Sequence, residues 1–275
     1  MADSAVDGLS RERNRGFEKQ LTQALGGSSF GRMVRAFERV SSTMEVAHAL
    51  AADGAAEGTL VWAARQDQGR GRLGRTWESP KGGIYLSLIL RPTRPTAETP
   101  QLSLVAGLAA AEAIQESTGL FPSIRWPNDL LLGRQKVGGI LVEATSVRPP
   151  STVHPPEPYV IVGIGINVTT QLKHIPRTAT SLMAAGAECD PYQLTGELCR
   201  RFAAWYHAWS TKGFAPIREA LRPWIGLFGQ PVHVAAGSTE FEGTASDLDE
   251  GGRLVVRLDS GVLRPFDVGE VTLLR

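Results

Sequence analysis

Apolar and polar positions along this chain fall into two textures. Through the first four-fifths, helical spacing alternates with compact apolar runs. After Val40 the pattern reads as a helix entry. Ser41 or Ser42 can cap, and Glu45 lies at the capping-box spacing from Ser42. The helix continues to about Ala52 and stops at Gly54. TLVWAA (59–64) and IYLSLIL (84–90) read as strands, and an Ala-rich helix runs from Leu102 to Glu116. SIRW (123–126) and KVGGILVEA (136–144) read as strands joined by a turn through Pro127, Asn128 and Asp129. YVIVGIGINV (159–168) reads as a buried strand, and helices come next over Gln193–Thr211 and Ile217–Leu221. Near Phe228 the texture changes to short alternating runs at 232–234, 241–245, 254–258, 262–266 and 271–273, most of them separated by glycine or acidic turns. That spacing predicts a small all-β barrel.

The expected organisation is therefore α/β (α+β), in three parts. Residues 1–30 are polar, with a short helix between Ser10 and Leu25, and are expected to be a loosely ordered arm. Residues 31–226 form the mixed domain, and residues 227–275 the barrel. RPPSTVHPPEP (148–158) is expected to be an exposed loop.

Composition narrows the function. The chain has 275 residues, enough for a sizeable core, with 29 Lys+Arg against 28 Asp+Glu. That balance lacks the basic excess of a nucleic-acid binder. A helix between Cys189 and Cys199 holds them too far apart for a disulfide, so free thiols are expected. No apolar run reaches the length of a membrane span and no signal core is present, so a cytoplasmic protein is expected.

QGRGRLGR (68–75) contains the GxGxxG spacing of a dinucleotide-binding turn. The residues after it exclude that use. The turn needs a helix after its third glycine, but Pro80, Gly82 and Gly83 come next, and then a strand. No GKS or GKT is present there either. Glycines that admit a ligand to the backbone, combined with Arg70, Arg72 and Arg75, suit an anionic ligand. The competing reading is a basic hairpin tip in solvent. RWPND (125–129) adds a turn with an amide and a carboxylate. KVGGILVE (136–143) puts a lysine at the head of an apolar strand, and GIGINV (163–168) ends a strand with an asparagine. Each has a plain structural alternative: an edge-strand lysine, or an asparagine that starts a turn.

In this order, the three clusters resemble the biotin protein ligase family. The loop at 69–82, WPND at 126–129, the strand at 136–143 and GIGIN at 163–167 all match its pattern. Ser42-Thr43 and Gln66 match upstream, and the resemblance runs from about Phe37 to the C-terminus. Met44 stands where the family commonly has Asn, so only a backbone contact carries over there. Arg125 stands where Lys is common. The DNA-binding domain of the repressor members is missing, so the resemblance is to the monofunctional form.

The resemblance implies a mixed-sheet catalytic domain of the biotin/lipoate ligase and class II synthetase-like kind, with an SH3-like C-terminal barrel. It implies ATP-dependent activation of biotin to biotinyl-5'-AMP, and then transfer to a lysine of the biotin carboxyl carrier domain of an acyl-CoA carboxylase. Lys136 and Arg72 are the candidate catalytic residues. Ser42, Thr43, Met44, Gln66, Arg70, Gly71, Arg72 and Lys136 are expected around biotin. Arg72, Arg75, Trp77, Asn128, Lys136 and Asn167 are expected around ATP or the adenylate, with Trp77 either stacking on ligand or serving as a core aromatic. Magnesium is expected with the ATP phosphates, near Asp129. No nucleic acid, no membrane, and a monomer or weak homodimer complete the expectation. The alternatives are a lipoate–protein ligase-like enzyme, a biotin-sensing repressor, or an adaptor working through the barrel.

Overall fold

A computed structural model describes residues 13–145, 158–237, 239–267 and 270–274. The expected loop at 148–158 lies almost wholly outside them. The chain opens with α1 (Arg15–Leu25), β1 (Val34–Phe37), α2 (Thr43–Ala52), β2 (Leu60–Ala63) and β3 (Gly83–Leu90). Next come α3 (Gln101–Thr118), β4 (Ser123–Arg125), β5 (Asp129–Leu132), β6 (Gln135–Thr145) and β7 (Tyr159–Asn167). Helices α4 (Pro191–Lys212) and α5 (Ala215–Leu221) precede five strands, β8 (Pro231–Ala236), β9 (Thr239–Leu248), β10 (Leu254–Leu258), β11 (Leu263–Phe266) and β12 (Glu270–Leu273).

The first seven strands form one mixed sheet in the order β1-β2-β3-β7-β6-β5-β4. The β1–β2 pair is parallel and is joined through α2, while the remaining pairs are antiparallel. The central strands are apolar on both faces because both are covered. On one face α2 packs Met44, Ala47 and Leu50 with Val61, Ile89 and Ile161. On the other, α1, α3, α4 and α5 build the larger core with Leu86, Leu88, Ile164 and Ile166. That core runs without a break into the C-terminal sheet, of order β11-β10-β9-β8-β12, through Val232, Val234, Leu254 and Val256. Trp126 Nε1 donates to Gly252 O at 3.0 Å and ties the two parts together.

Three features differ from the expectations. Residues 15–25 are not a loose arm: Leu21 is 0% exposed, and Ala24 and Leu25 are buried beside it. Phe17, Leu21, Ala24 and Leu25 are spaced as one helical stripe, and Asn14 caps the helix by accepting from Phe17 N at 3.1 Å. The turn after Trp126 does not lead directly into β6. It leads into the short strand β5, which forms a hairpin with β6. The capping box on α2 is not formed. Ser42 makes no cap hydrogen bond, and the cap comes from Gln66, whose Oε1 accepts from Thr43 N at 2.8 Å. Both cysteines are free; Cys199 is buried, and Cys189 is half-buried. No helix among the described residues is long and apolar enough to cross a membrane.

Candidate active site

A cleft opens on the α2 face of the large sheet. Its floor is made by paired positions of β6 and β7, Gly139 opposite Gly165 and Leu141 opposite Gly163. The glycines are required by close approach. A Cβ on Gly165 would lie 2.7 Å from Trp77 Nε1, and one on Gly163 would lie 2.5 Å from Met44 Sδ. The room that these glycines leave beside the sheet is thus filled by the Trp77 indole and the Met44 thioether, which both line the cleft.

Lys136 reaches this cleft through an irregularity. Leu130 pairs with Gly138 but Leu131 pairs with Lys136, so Val137 is an extra residue in β6. One extra residue reverses the alternation of faces. Lys136 therefore shares the face of Gly139, with its Cε 3.2 Å from where a Gly139 Cβ would stand. Its Nζ lies 2.5 Å from Asp129 Oδ1 and 5.2 Å from the centre of the Trp77 ring.

The arginine-rich loop covers the cleft. Gly71 N donates to Arg75 O and Trp77 N to Gly69 O, at 2.7 and 2.9 Å, which closes the loop on itself. A Cβ at Gly69 would strike Trp77 O at 2.2 Å, so only glycine permits this closure. Arg72 Nη1 donates to Asn128 Oδ1 at 3.0 Å and joins the loop to the WPND turn. Beside this junction, Arg72, Arg75, Arg125 and Lys136 surround a second cavity, closed on one side by Val271 and Thr272 of β12. This is the cation-rich end.

At the other end lies the head of α2. Gln66 is fully engaged there: besides capping Thr43 N, its Oε1 accepts from Thr43 Oγ1 at 3.1 Å and its Nε2 donates to Ser79 Oγ at 2.8 Å. Ser87 Oγ donates to Thr43 Oγ1 at 2.9 Å. The Ser42 hydroxyl, buried in the cleft lining, has no protein partner. Tyr85 also lines the cleft. Burial pushes its phenol well above the ordinary range, so it stays neutral and donates to Pro80 O at 2.7 Å.

Residues 36–167 match the biotin/lipoate A/B protein ligase family, and residues 227–274 match the biotin protein ligase C-terminal domain. The bifunctional ligase/repressor BirA of Bacillus subtilis is 37% identical over 235 residues, covering 82% of this chain and 70% of that one. The biotin–[acetyl-CoA-carboxylase] ligase of Mycobacterium tuberculosis is 30% identical over 261 residues, covering 92% and 93%. A solved structure of Aquifex aeolicus biotin protein ligase with biotin and ATP overlays with a TM-score of 0.75 at 30% identity, covering 89% of this chain and 99% of that one. The chain belongs to the biotin/lipoate A/B protein ligase family.

Within this ligase family member, the expected residues gather with one exception. Ser42, Thr43, Met44, Gln66, Arg70, Gly71, Arg72, Trp77, Asn128 and Lys136 all line the cleft, and Arg75 lines the adjoining cavity. Asn167 does not. It is 1% exposed; its Nδ2 donates to Thr180 O at 2.9 Å and holds the segment after β7, while its Oδ1 has no protein partner. Asp129 lines the adjoining cavity, where two cations hold its carboxylate. Its Oδ1 faces Lys136 and its Oδ2 accepts from Arg125 Nη2, each at 2.5 Å. Both carboxylate oxygens are thus held in ion pairs within the protein. No group of three His, Cys, Asp or Glu able to hold a metal occurs among the described residues.

Sequence reasoning missed Val271 and Thr272, whose strand meets the cavity only through domain packing. It also missed Glu143, whose signal was present as the one acidic residue in an apolar strand.

Proposed function

We propose that this chain activates biotin with ATP and passes it to a lysine of the biotin carboxyl carrier domain of a biotin-dependent carboxylase. The observation that carries the reading is the polarity of the cleft taken together with the cavity that adjoins it at Lys136. One end offers an unpartnered, buried serine hydroxyl over a glycine floor, and the other offers several cations that meet at Lys136. Biotin has the matching shape, with an uncharged polar ureido edge at one end and a carboxylate at the other.

In the first step a biotin carboxylate oxygen attacks the α-phosphorus of ATP. The bond from that phosphorus to the β-phosphate oxygen breaks, and pyrophosphate leaves. Two anions must meet, so fixed positive charge at the meeting point lowers the barrier. Lys136 is the residue for that place. Asp129, itself held by Arg125, keeps the lysine ammonium in position before the substrates arrive. Arg72 and Arg75 neutralise phosphate charge. Asn128 acts mainly by orienting Arg72 and, by donating Nδ2 to Ile140 O at 3.0 Å, by fixing the turn to β6. Ser42 bonds the ureido edge, with Thr43 and Gln66 framing it and the backbone of Arg70 and Gly71 closing over it. Trp77 covers the bound adenylate from the sheet side.

In the second step a carrier lysine amine attacks the carbonyl carbon of the mixed anhydride. The amine loses its proton, the carbon–oxygen bond to AMP breaks, and an amide remains. The adenylate stays non-covalent, so no protein nucleophile is needed. ATP as co-substrate suits a cytoplasmic enzyme. Magnesium accompanies ATP in this reading as an ion held by the nucleotide's own phosphates.

Pyrophosphate release from ATP tests the choice of acid. Release should depend on biotin and be indifferent to lipoate. The match of residues 227–274 to the biotin protein ligase C-terminal domain supports biotin over lipoate. Release driven by lipoate and not by biotin would replace this reading with the lipoate one.

A further inference from the structure

Glu143 stands on β6 two positions beyond Leu141, on the cleft face but past the end of the cleft lining. Its carboxylate joins three elements. Oε1 accepts from Arg70 Nη2 at 2.6 Å, and Oε2 accepts from His48 Nε2 of α2 at 2.8 Å. His48 Nδ1 lies 3.3 Å from the Tyr159 hydroxyl on β7. The hydroxyl can donate to Nδ1, which leaves the proton on Nε2 for Glu143. This arrangement holds with a neutral imidazole.

Glu143 is kept ionised. The His48 hydrogen bond and the Arg70 charge hold its carboxyl below the usual carboxylate range, against the opposing effect of burial. Both contacts are charge-assisted and short, the stronger class of hydrogen bond. They are also only partly exposed, at 26% for the side chains of Glu143 and His48 and 41% for Arg70.

The loop needs such a tether. Its tip, Leu73, is 75% exposed and adopts φ 56°, an unfavourable backbone for leucine. With its leucine in solvent, the tip has no apolar anchor of its own. Two polar ties hold the limb that leads into it: Arg70 to Glu143, and Arg72 to Asn128. Arg70 lines the cleft and its guanidinium is held by Glu143, so fixing that side chain fixes part of the cover.

We infer that Glu143, oriented by His48, is a positioning residue that pins Arg70 and so holds the glycine-rich loop closed over biotin and the adenylate. The inference rests on the ligase reading, and it deepens that reading from the residues that form the cleft to one that governs retention.

The test uses the full chain and the isosteric variant Glu143→Gln, with two independent measurements. In the first, pyrophosphate release and adenylate escape are tracked, the latter as biotin label on albumin. The variant should form adenylate at the wild-type kcat. Its KM for biotin and its escape rate should both rise about tenfold, the loss expected for one charge-assisted bond. His48→Ala should shift both in the same direction by less. Unchanged KM and escape, or a fall in kcat together with a fall in melting temperature, overturns the inference. In the second, trypsin is applied to the ligand-free protein. Cleavage after Arg70, Arg72 or Arg75 should be about tenfold faster in Glu143→Gln, with the other sites unaltered. Equal cleavage overturns the pin. If wild type releases no pyrophosphate with biotin, the ligase reading fails, while the trypsin result still decides the pin.

Discussion

Lys136 and Asp129 face each other at 2.5 Å on the cleft side of the sheet because one extra residue, Val137, turns the lysine over. In a regular strand Lys136 would share a face with Gly138 and Ile140, away from the cleft floor. The extra residue is therefore part of the chemistry as much as of the fold.

Lys136→Ala and Arg72→Gly should fail in different ways. Lys136 acts where the carboxylate meets the phosphate, so its removal should slow adenylate formation by about 10²–10³. Arg72→Gly removes the tie to Asn128 and loosens the cover. That variant should still form adenylate, but release it to label exposed lysines of a bystander protein. Pyrophosphate release and albumin labelling, measured for each, separate the two. Normal adenylate formation by Lys136→Ala contradicts its role.

Ser42→Ala should have opposite effects on the free and bound protein. The hydroxyl is buried without a partner in the free cleft, and such a group destabilises what holds it. The ligand-free variant should melt no lower than wild type. Biotin should bind about fivefold more weakly, for one lost hydrogen bond of about 1 kcal/mol. Scanning calorimetry and biotin titration measure the two. A lower melting temperature with unchanged biotin affinity would assign Ser42 to the fold alone.

Gly165→Ala should disturb the site more than the fold. The new methyl would stand 2.7 Å from Trp77 Nε1, so the indole must leave the sheet. Catalytic efficiency should drop by about 10²-fold, the scale of a displaced site, with little change in melting temperature. An active variant at wild-type level would show that Trp77 does not need this seat.

Much of this was legible in the sequence, for particular reasons. The order strand–loop–strand around 69–82 could be read from Pro80 and Gly82-Gly83, because local backbone chemistry forbids a helix there. The long apolar helices and central strands showed through periodicity. The C-terminal sheet showed through its closely spaced turns. The hidden features depend on distant partners. Glu143 meets Arg70 and His48 across 73 and 95 residues, and no local pattern encodes such a meeting. Asn167 matches the motif, but the segment around Thr180 folds back and takes its Nδ2, a contact that no local pattern encodes. The α1 stripe was readable from Phe17, Leu21, Ala24 and Leu25, and was masked by the low apolar content of its surroundings.

Biotin and ATP together should stabilise the protein more than either alone. A ligand bound only by the native state adds stability by mass action, about 2.7 kcal/mol at a hundredfold excess over Kd. The adenylate spans both ends of the cleft, so its effect should exceed that of biotin. Thermal melts with biotin, with ATP and with both decide it. Equal shifts with biotin and with the pair would contradict a cleft that joins two subsites.

The most direct measurement is transfer itself. The full chain, ATP, magnesium and labelled biotin are incubated with a purified biotin carboxyl carrier domain, and the carrier is digested and mapped. Label should appear on a single carrier lysine, depend on ATP and be lost in Lys136→Ala. A carrier that stays unlabelled while wild type and ATP are present would contradict the ligase reading.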